Sequence, residues 1–278
     1  TITQTTNCLF IIEGKNKMSN GFIFHESEDI VCIATFNSSN RKTGDEVQTW
    51  ILYKHEAPNI AIDTGKDEAI CGDCKHRGIV LSLDDATIYA DKLPTAKKKA
   101  LLKRIDDKKA RGLNSINIDR KCYVLVFQAP LNIYKAWKNG NYPTLTPKQV
   151  QKRFAYKKVR LGSYGDPIHI PKWKLDIILK FTLGTTGYTH QWKNKKYIEY
   201  KQYLMASVDT VKEKLLANSL GYRTFRVRQR TDAIDSNEVG CLSDRNARGN
   251  KKLIPCVDCM MCSGLTSKVK QSISIIQH

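Results

Sequence analysis

The chain has 278 residues, 41 % of them hydrophobic, which is enough to build a sizeable core and too apolar for wholesale disorder. Its 46 Lys and Arg outnumber 27 Asp and Glu, and the formal net charge of +19 is spread along the chain, so the expected partner is a polyanion, nucleic acid above all. No stretch comes near the roughly 20 apolar residues of a membrane helix, and Thr1 to Asn7 lack the basic and apolar regions of a signal peptide. Nine cysteines, an odd number with tight CxxC groupings, suit metal binding in a reducing compartment better than paired disulfides. The expectation is a cytoplasmic protein with no membrane association.

Residues 1–150 read as a β-rich region carrying a CxxC motif and a basic helical excursion. Strand-like apolar runs lie at Cys8–Ile12, around Phe22, at Ile30–Ile33 and at Trp50–Tyr53, punctuated by Asn, Ser and Gly. Cys8 and Cys32 sit inside these runs and read as buried fillers. Cys71-Gly72-Asp73-Cys74 then presents two thiols on one short turn, with His76 and Cys122 as candidate further ligands of a metal ion. Between Cys74 and Cys122 the spacing predicts a helix over Thr95–Arg111. One face packs through Leu101, Leu102 and Ile105, and the other is a comb of lysines suited to phosphates or to solvent. The excursion would be stapled at its base by the cysteines. Cys122–Phe127 reads as a buried strand, and a helix around Tyr134 and Trp137 follows, closed by Gly140 and Pro143.

Residues 151–278 alternate strand and helix. Strands are predicted at Val159–Leu161, Thr186–His190, Tyr203–Val208 and Tyr222–Val227, with helices opening at Pro171 and at the capping residue Thr210. Such alternation implies an α/β fold with parallel strands, as a partial or complete α/β barrel or an open sheet, whose chemistry sits on the loops after the strands. Those loops carry Asp166 as a candidate nucleophile or general base, His190 as an acid/base group or ligand, and Asp209 as a further carboxylate or a helix-terminus residue. Trp192 is a candidate base-stacking platform, and Arg160, Arg226 and Arg228 are candidate phosphate binders. Near the C-terminus Cys256, Cys259 and Cys262 recur at one interval, and Cys241 would complete four thiolates for Zn²⁺ or a [4Fe–4S] cluster, unless the cysteines divide differently or act together at one centre. The triple CxxCxxC leans to iron–sulfur, the Cys71 group to zinc.

Ile70–Cys74 with Arg77-Gly78, Cys122–Val124, Val159–Pro167, Thr186–Trp192 and the Cys256 triplet together resemble an uncharacterised cysteine-rich family encoded by phages and mobile elements. That resemblance implies no settled activity, and places the protein in the host-cell cytoplasm. A fainter likeness is to queuine-type guanine transglycosylases, α/β barrels with a C-terminal zinc site and Asp catalysts. It implies that Asp166 or Asp209 is catalytic, although that family carries CxCxxC where this chain has CxxCxxC. The reading taken forward is a metal-binding protein acting on nucleic acid, a base- or nucleotide-modifying enzyme. The alternative is a non-catalytic, zinc-stabilised DNA- or RNA-binding regulator. Oligomeric state is left open.

Overall fold

The computed structural model describes residues 20–37, 42–248, 251–267 and 269–277, so the expected run Cys8–Ile12 lies outside the described residues. The chain opens with three strands, β1 (Gly21–Glu26), β2 (Ile30–Thr35) and β3 (Val47–Tyr53), paired as an antiparallel meander. Every residue of β2 is buried, because it lies between two strands and is covered on both faces; its unbroken apolar run requires that position. Two short helices follow, α1 (Pro58–Thr64) and α2 (Glu68–Cys71), the first opened by its proline and ended by Gly65 in the left-handed region. A single 3₁₀ turn, Lys75–Arg77, leads into β4 (Ile79–Ser82).

The expected excursion is a folded module. After β4 come α3 (Leu83–Asp91), α4 (Thr95–Ala110) and β5 (Ser115–Ile118), and β5 returns antiparallel to β4, Ile79 opposite Ile118. Leu83, Ala86, Ala90, Leu101, Ile105, Ile116 and Ile118 form a core of its own. The helix over Thr95–Ala110 matches the periodicity, whereas the two neck strands carry too few residues to stand out in the sequence.

Cys122–Phe127, expected as a buried strand, pairs with no strand. Tyr123, Leu125 and Phe127 are 73, 50 and 62 % exposed, while Val126 is buried. The Arg120 guanidinium bonds the carbonyls of Cys122 and Val124 at 3.0 and 3.1 Å, doing for this segment part of what a neighbouring strand would do.

The remaining elements are α5 (Ala129–Lys138), α6 (Pro147–Phe154), β6 (Lys158–Tyr164), α7 (Lys172–Ile178), β7 (Gly184–Thr186), β8 (Tyr188–Thr189), β9 (Met205–Val208), α8 (Val211–Ser219), β10 (Thr224–Arg228), β11 (Glu238–Gly240), α9 (Arg245–Arg248), α10 (Cys256–Cys259) and β12 (Ser272–Ile276). One five-stranded sheet has the order β1-β2-β3-β6-β7, with β3, β6 and β7 parallel; a second has the order β11-β12-β10-β9-β8, parallel throughout. The protein is therefore a mixed α/β fold with parallel strands in both large sheets. Gly187 alone separates β7 from β8. Its amide donates to the Cys262 carbonyl at 2.9 Å and its carbonyl accepts from Met205 at 3.0 Å, so the chain steps from one sheet into the next within a residue. A side chain there would meet Leu204 Cδ2 at 2.7 Å. No closed ring of strands forms among the described residues, since β1 and β11 end the two sheets.

β3 pairs with β6, and the main core runs from Phe22 to Leu204. Strand pairing therefore crosses residue 150, which itself lies in α6. Among the described residues no helix is long and apolar enough to cross a membrane.

Candidate functional site at the strand ends

The Cys71–Cys74 turn is held by Arg77. Its guanidinium donates to Asp67 Oδ1 at 2.8 and 3.0 Å, to the Gly72 carbonyl at 2.8 Å and to the Gly65 carbonyl at 2.8 Å. Gly72 has φ +56°, and a Cβ there would lie 2.6 Å from Gln191 Nε2, so this turn requires glycine. The distant Cys122 arrives through its amide, which donates to the His76 carbonyl at 3.0 Å. Burial pushes the Cys74 thiol up to about 11, against the pull of a backbone hydrogen bond from His76 and with Cys122 and Asp166 adding to the rise. Burial likewise raises Cys71 well above the usual thiol range, with Asp67, Cys122, Cys74 and Asp166 contributing. The first thiol group therefore assembles beside the ends of the parallel strands.

Three expected strand-end residues meet it there. Asp166 follows β6 and is buried; its Oδ1 accepts from the Ile168 amide at 3.2 Å, and its Oδ2 from Thr189 Oγ1 at 3.0 Å and the His190 amide at 2.9 Å. Burial lifts its carboxyl to about 6, partly offset by those three hydrogen bonds. His190 follows β8, and its ring stands edge-on to His76 with centroids 5.5 Å apart. Burial first, and the neighbouring His76 second, hold His190 down at about 4, so it is neutral at physiological pH. Asp209 follows β9 and accepts from Lys75 Nζ at 2.5 Å and His76 Nε2 at 3.3 Å. Burial works to raise its carboxyl, but these two partners outweigh it and hold it at about 2.

Sequence reasoning missed two members of this group. Glu213 lies in the first turn of α8, and its carboxylate accepts from the Asp209 amide at 3.0 Å, Lys75 at 3.2 Å and Lys193 at 3.1 Å. Lys75 bridges the CxxC turn to both acids. Only its place directly after Cys74 could have pointed to it.

The second thiol group lies near the openings of β6 and β10 and the end of β11. Lys158, opening β6, donates to the Val257 carbonyl at 2.6 Å, and Arg223, just before β10, donates to the carbonyls of Met261 and Ser263 at 3.0 and 2.5 Å. Cys241 follows β11, its amide on the Ser274 carbonyl at 2.8 Å. Burial pushes Cys262 up to about 12, against a hydrogen bond with Tyr188 and with Cys241, Cys256 and Cys259 adding to the rise. The same neighbourhood holds Glu46, fully buried with both carboxylate oxygens lacking a hydrogen-bond partner. Burial raises Glu46 to about 7, with Arg160 and Lys158 opposing. No sequence signal marked it.

The four other expected contact residues are placed differently from one another. Trp192 is 2 % exposed in a core with Ala206, Val208, Ala217 and Tyr222, its Nε1 donating to the Ser207 carbonyl at 2.9 Å, so it offers no face for stacking. Arg226 is buried against Glu238, donating at 2.7 and 2.8 Å, and Arg228 is buried with the Gln229 and Asp232 carbonyls at 3.3 and 2.7 Å. These three were expected at a ligand because strand alternation shows which residues share a face, not which face is covered. Arg160 keeps a freer guanidinium, whose hydrogen-bond partner is Tyr123 Oη at 3.5 Å.

As the side chains lie, no three His, Cys, Asp or Glu groups among the described residues are arranged to hold a metal ion. The donor chemistry of both groups nonetheless fits a thiophilic ion or cluster: each gathers thiols from distant segments, and the first adds a histidine oriented by a carboxylate. No family model, curated protein or solved structure matches the chain.

Proposed function

We propose that this chain is a thiolate-metal protein of phage or mobile-element type that acts on nucleic acid, modifying a base or nucleotide at the strand-end site. One observation carries the reading. Asp166, His190 and Asp209, which follow β6 in one sheet and β8 and β9 in the other, contact one another or His76 beside Cys71, Cys74 and Cys122. The ends of parallel strands are where α/β folds, barrel-like ones included, place their chemistry. On this reading the arc of parallel strands is a partial barrel.

Asp209, ionised, orients His76 through Nε2 and leaves Nδ1 for a ligand or a proton, the arrangement common to metal-binding histidines. Neutral His190 is the adjacent acid/base group. Asp166, with both oxygens engaged, positions the His190 backbone. Cys71, Cys74, Cys122 and His76 would hold one centre, and Cys241, Cys256, Cys259 and Cys262 the other. When bound, Zn²⁺ would fasten these loops, whereas a [4Fe–4S] cluster would supply electrons at the strand ends.

Metal analysis and an absorption spectrum of anaerobically purified protein test this. The expected outcome is bound metal, with Cys74→Ser and Cys259→Ser each lowering its content. Absorption near roughly 400 nm marks a cluster, and a colourless metal-loaded protein marks zinc. Folded, metal-free wild type overturns the reading. The alternative, a non-catalytic regulator, draws support from the way Asp166, Arg226 and Trp192 are all engaged in internal bonds. Mass spectrometry of nucleosides from cells expressing wild type or Asp209→Asn separates the two. A modified base present only with wild type favours the enzyme.

A further inference from the structure

A cavity of about 430 Å³ lies where the inserted module meets the main body, within the size range of small-ligand pockets. Arg104 and Lys108 reach it from α4, Arg111 from just past the end of that helix, Asn117 from β5, and Arg120 and Phe127 from the segment that carries Cys122. Two acids also line it, and both are engaged: Asp63 pairs with Lys108, and Asp119 accepts from Tyr89 Oη at 3.0 Å. The guanidiniums are far less satisfied. Arg104 donates to the Asn117 carbonyl at 2.6 Å, and the Arg111 side chain has no hydrogen-bond or ionic partner among the described residues. Arg120 gives one nitrogen to the Cys122 and Val124 carbonyls, while its buried Nε lacks any partner. A buried, unmatched donor is costly, and several guanidiniums lining one cavity repel one another unless an anion joins them.

Phosphate geometry suits this set, because guanidinium groups offer parallel donors to its oxygens. At the rim Phe127 is 62 % exposed, an unusual position for an aromatic ring and one that offers a flat apolar face beside the cations. Phosphate donors with a stacking surface match a nucleotide.

We propose that this cavity seats one nucleotide of a single-stranded nucleic acid, its phosphate held by Arg104, Arg111 and Arg120 and its base stacked on Phe127. The site deepens the nucleic-acid reading of the strand-end centre and does not depend on its metals. Arg120 couples the two: it grips the nucleotide and the Cys122 carbonyl at once, so a strand anchored in the cavity continues along the Cys122 segment toward the thiols.

Equilibrium binding of a short fluorescent single strand to the full chain tests the assignment, with the mononucleotide as competitor. Arg111→Ala and Phe127→Ala should each weaken strand binding by on the order of tenfold, since both side chains are exposed at the surface and lose ligand contacts rather than core packing. Lys97→Ala removes an equal charge from an exposed position of α4 outside the cavity and should cost about twofold or less. Equal losses for Lys97→Ala and Arg111→Ala would reduce the pocket to general surface charge and overturn it. So would unchanged affinity in Phe127→Ala. Mononucleotide that binds as tightly as the strand, and loses affinity in Arg111→Ala, would assign the cavity to free nucleotides and overturn the strand. Wild type that binds the strand with affinity indifferent to all three substitutions removes the pocket but leaves the nucleic-acid reading; wild type that binds neither probe removes both.

Discussion

Asp166 and Arg226 illustrate how the environment of one side chain decides its work. An Asp ahead of a Pro suits a turn as well as a catalytic site, and Asp166 accepts the Ile168 amide at the head of a 3₁₀ turn while bonding the strand beside it. Arg226 looks like a phosphate ligand in sequence; its 2.7 and 2.8 Å bonds run to Glu238, which is buried as deeply. Removing one member of such a pair strands the other charge in the core. Arg226→Ala should therefore lower unfolding free energy by about 3–5 kcal/mol in urea titrations while leaving oligonucleotide affinity alone. Weaker binding at unchanged stability would return Arg226 to the phosphate site.

At the scale of elements, β1 and α7 meet through a titrating contact. His25 Nδ1 lies 3.1 Å from Lys174 Nζ, with Glu26 beside it and Cys32 opposite it in the β1–β2 ladder. Burial, then the Lys174 charge, lowers His25 to about 4, with Glu26 opposing. The unfolded chain, at the ordinary 6.5, takes up this proton first. The contribution of His25 is thus level above about pH 6.5 and turns destabilising as pH falls from there toward 4. By about pH 5 it should cost roughly 1–2 kcal/mol, and His25→Gln should flatten that part of the curve. Urea midpoints at the two ends of this range measure it; identical slopes in both proteins would show that His25 protonates freely when folded.

For the whole molecule the deciding quantity is the formal charge of +19. If the protein grips several phosphates, each contact releases counterions, and affinity for single strands should drop by on the order of 10³-fold between about 50 and 200 mM salt. A binding curve insensitive to salt would detach the charge from function. The module between β4 and β5 concentrates lysines and arginines on α4, and its neck is narrow: at Gly78, φ +87°, a Cβ would lie 2.4 Å from the Ile118 carbonyl. The insertion is thereby fastened close beside the CxxC turn.

Local patterning alone determined the early strands, the helix over Thr95–Ala110, the helix around Tyr134 and Trp137, and the strands β6, β9 and β10, because hydrophobic period, glycine stops and capping residues act within one or two turns of chain; the run Thr186–His190, expected as one strand, is split at Gly187 between β7 and β8 of different sheets. The CxxC spacing put Cys71 with Cys74, and Cys256 with Cys259 and Cys262, on short turns, whereas the approach of Cys122 to the first turn and of Cys241 to the second depended on the fold. Only the tertiary structure decided which face of β10 is covered, that Trp192 is core, that Cys122–Phe127 runs unpaired, and that Glu46, Lys75 and Glu213 join the thiol neighbourhoods. β11 and β12 belong with these, as strands of three and five residues: β10 supplies the pairing of β12, and β12 that of β11. The physical reason is common to all: burial and charge pairing depend on segments far away in sequence, and periodicity carries no information about what lies across a face.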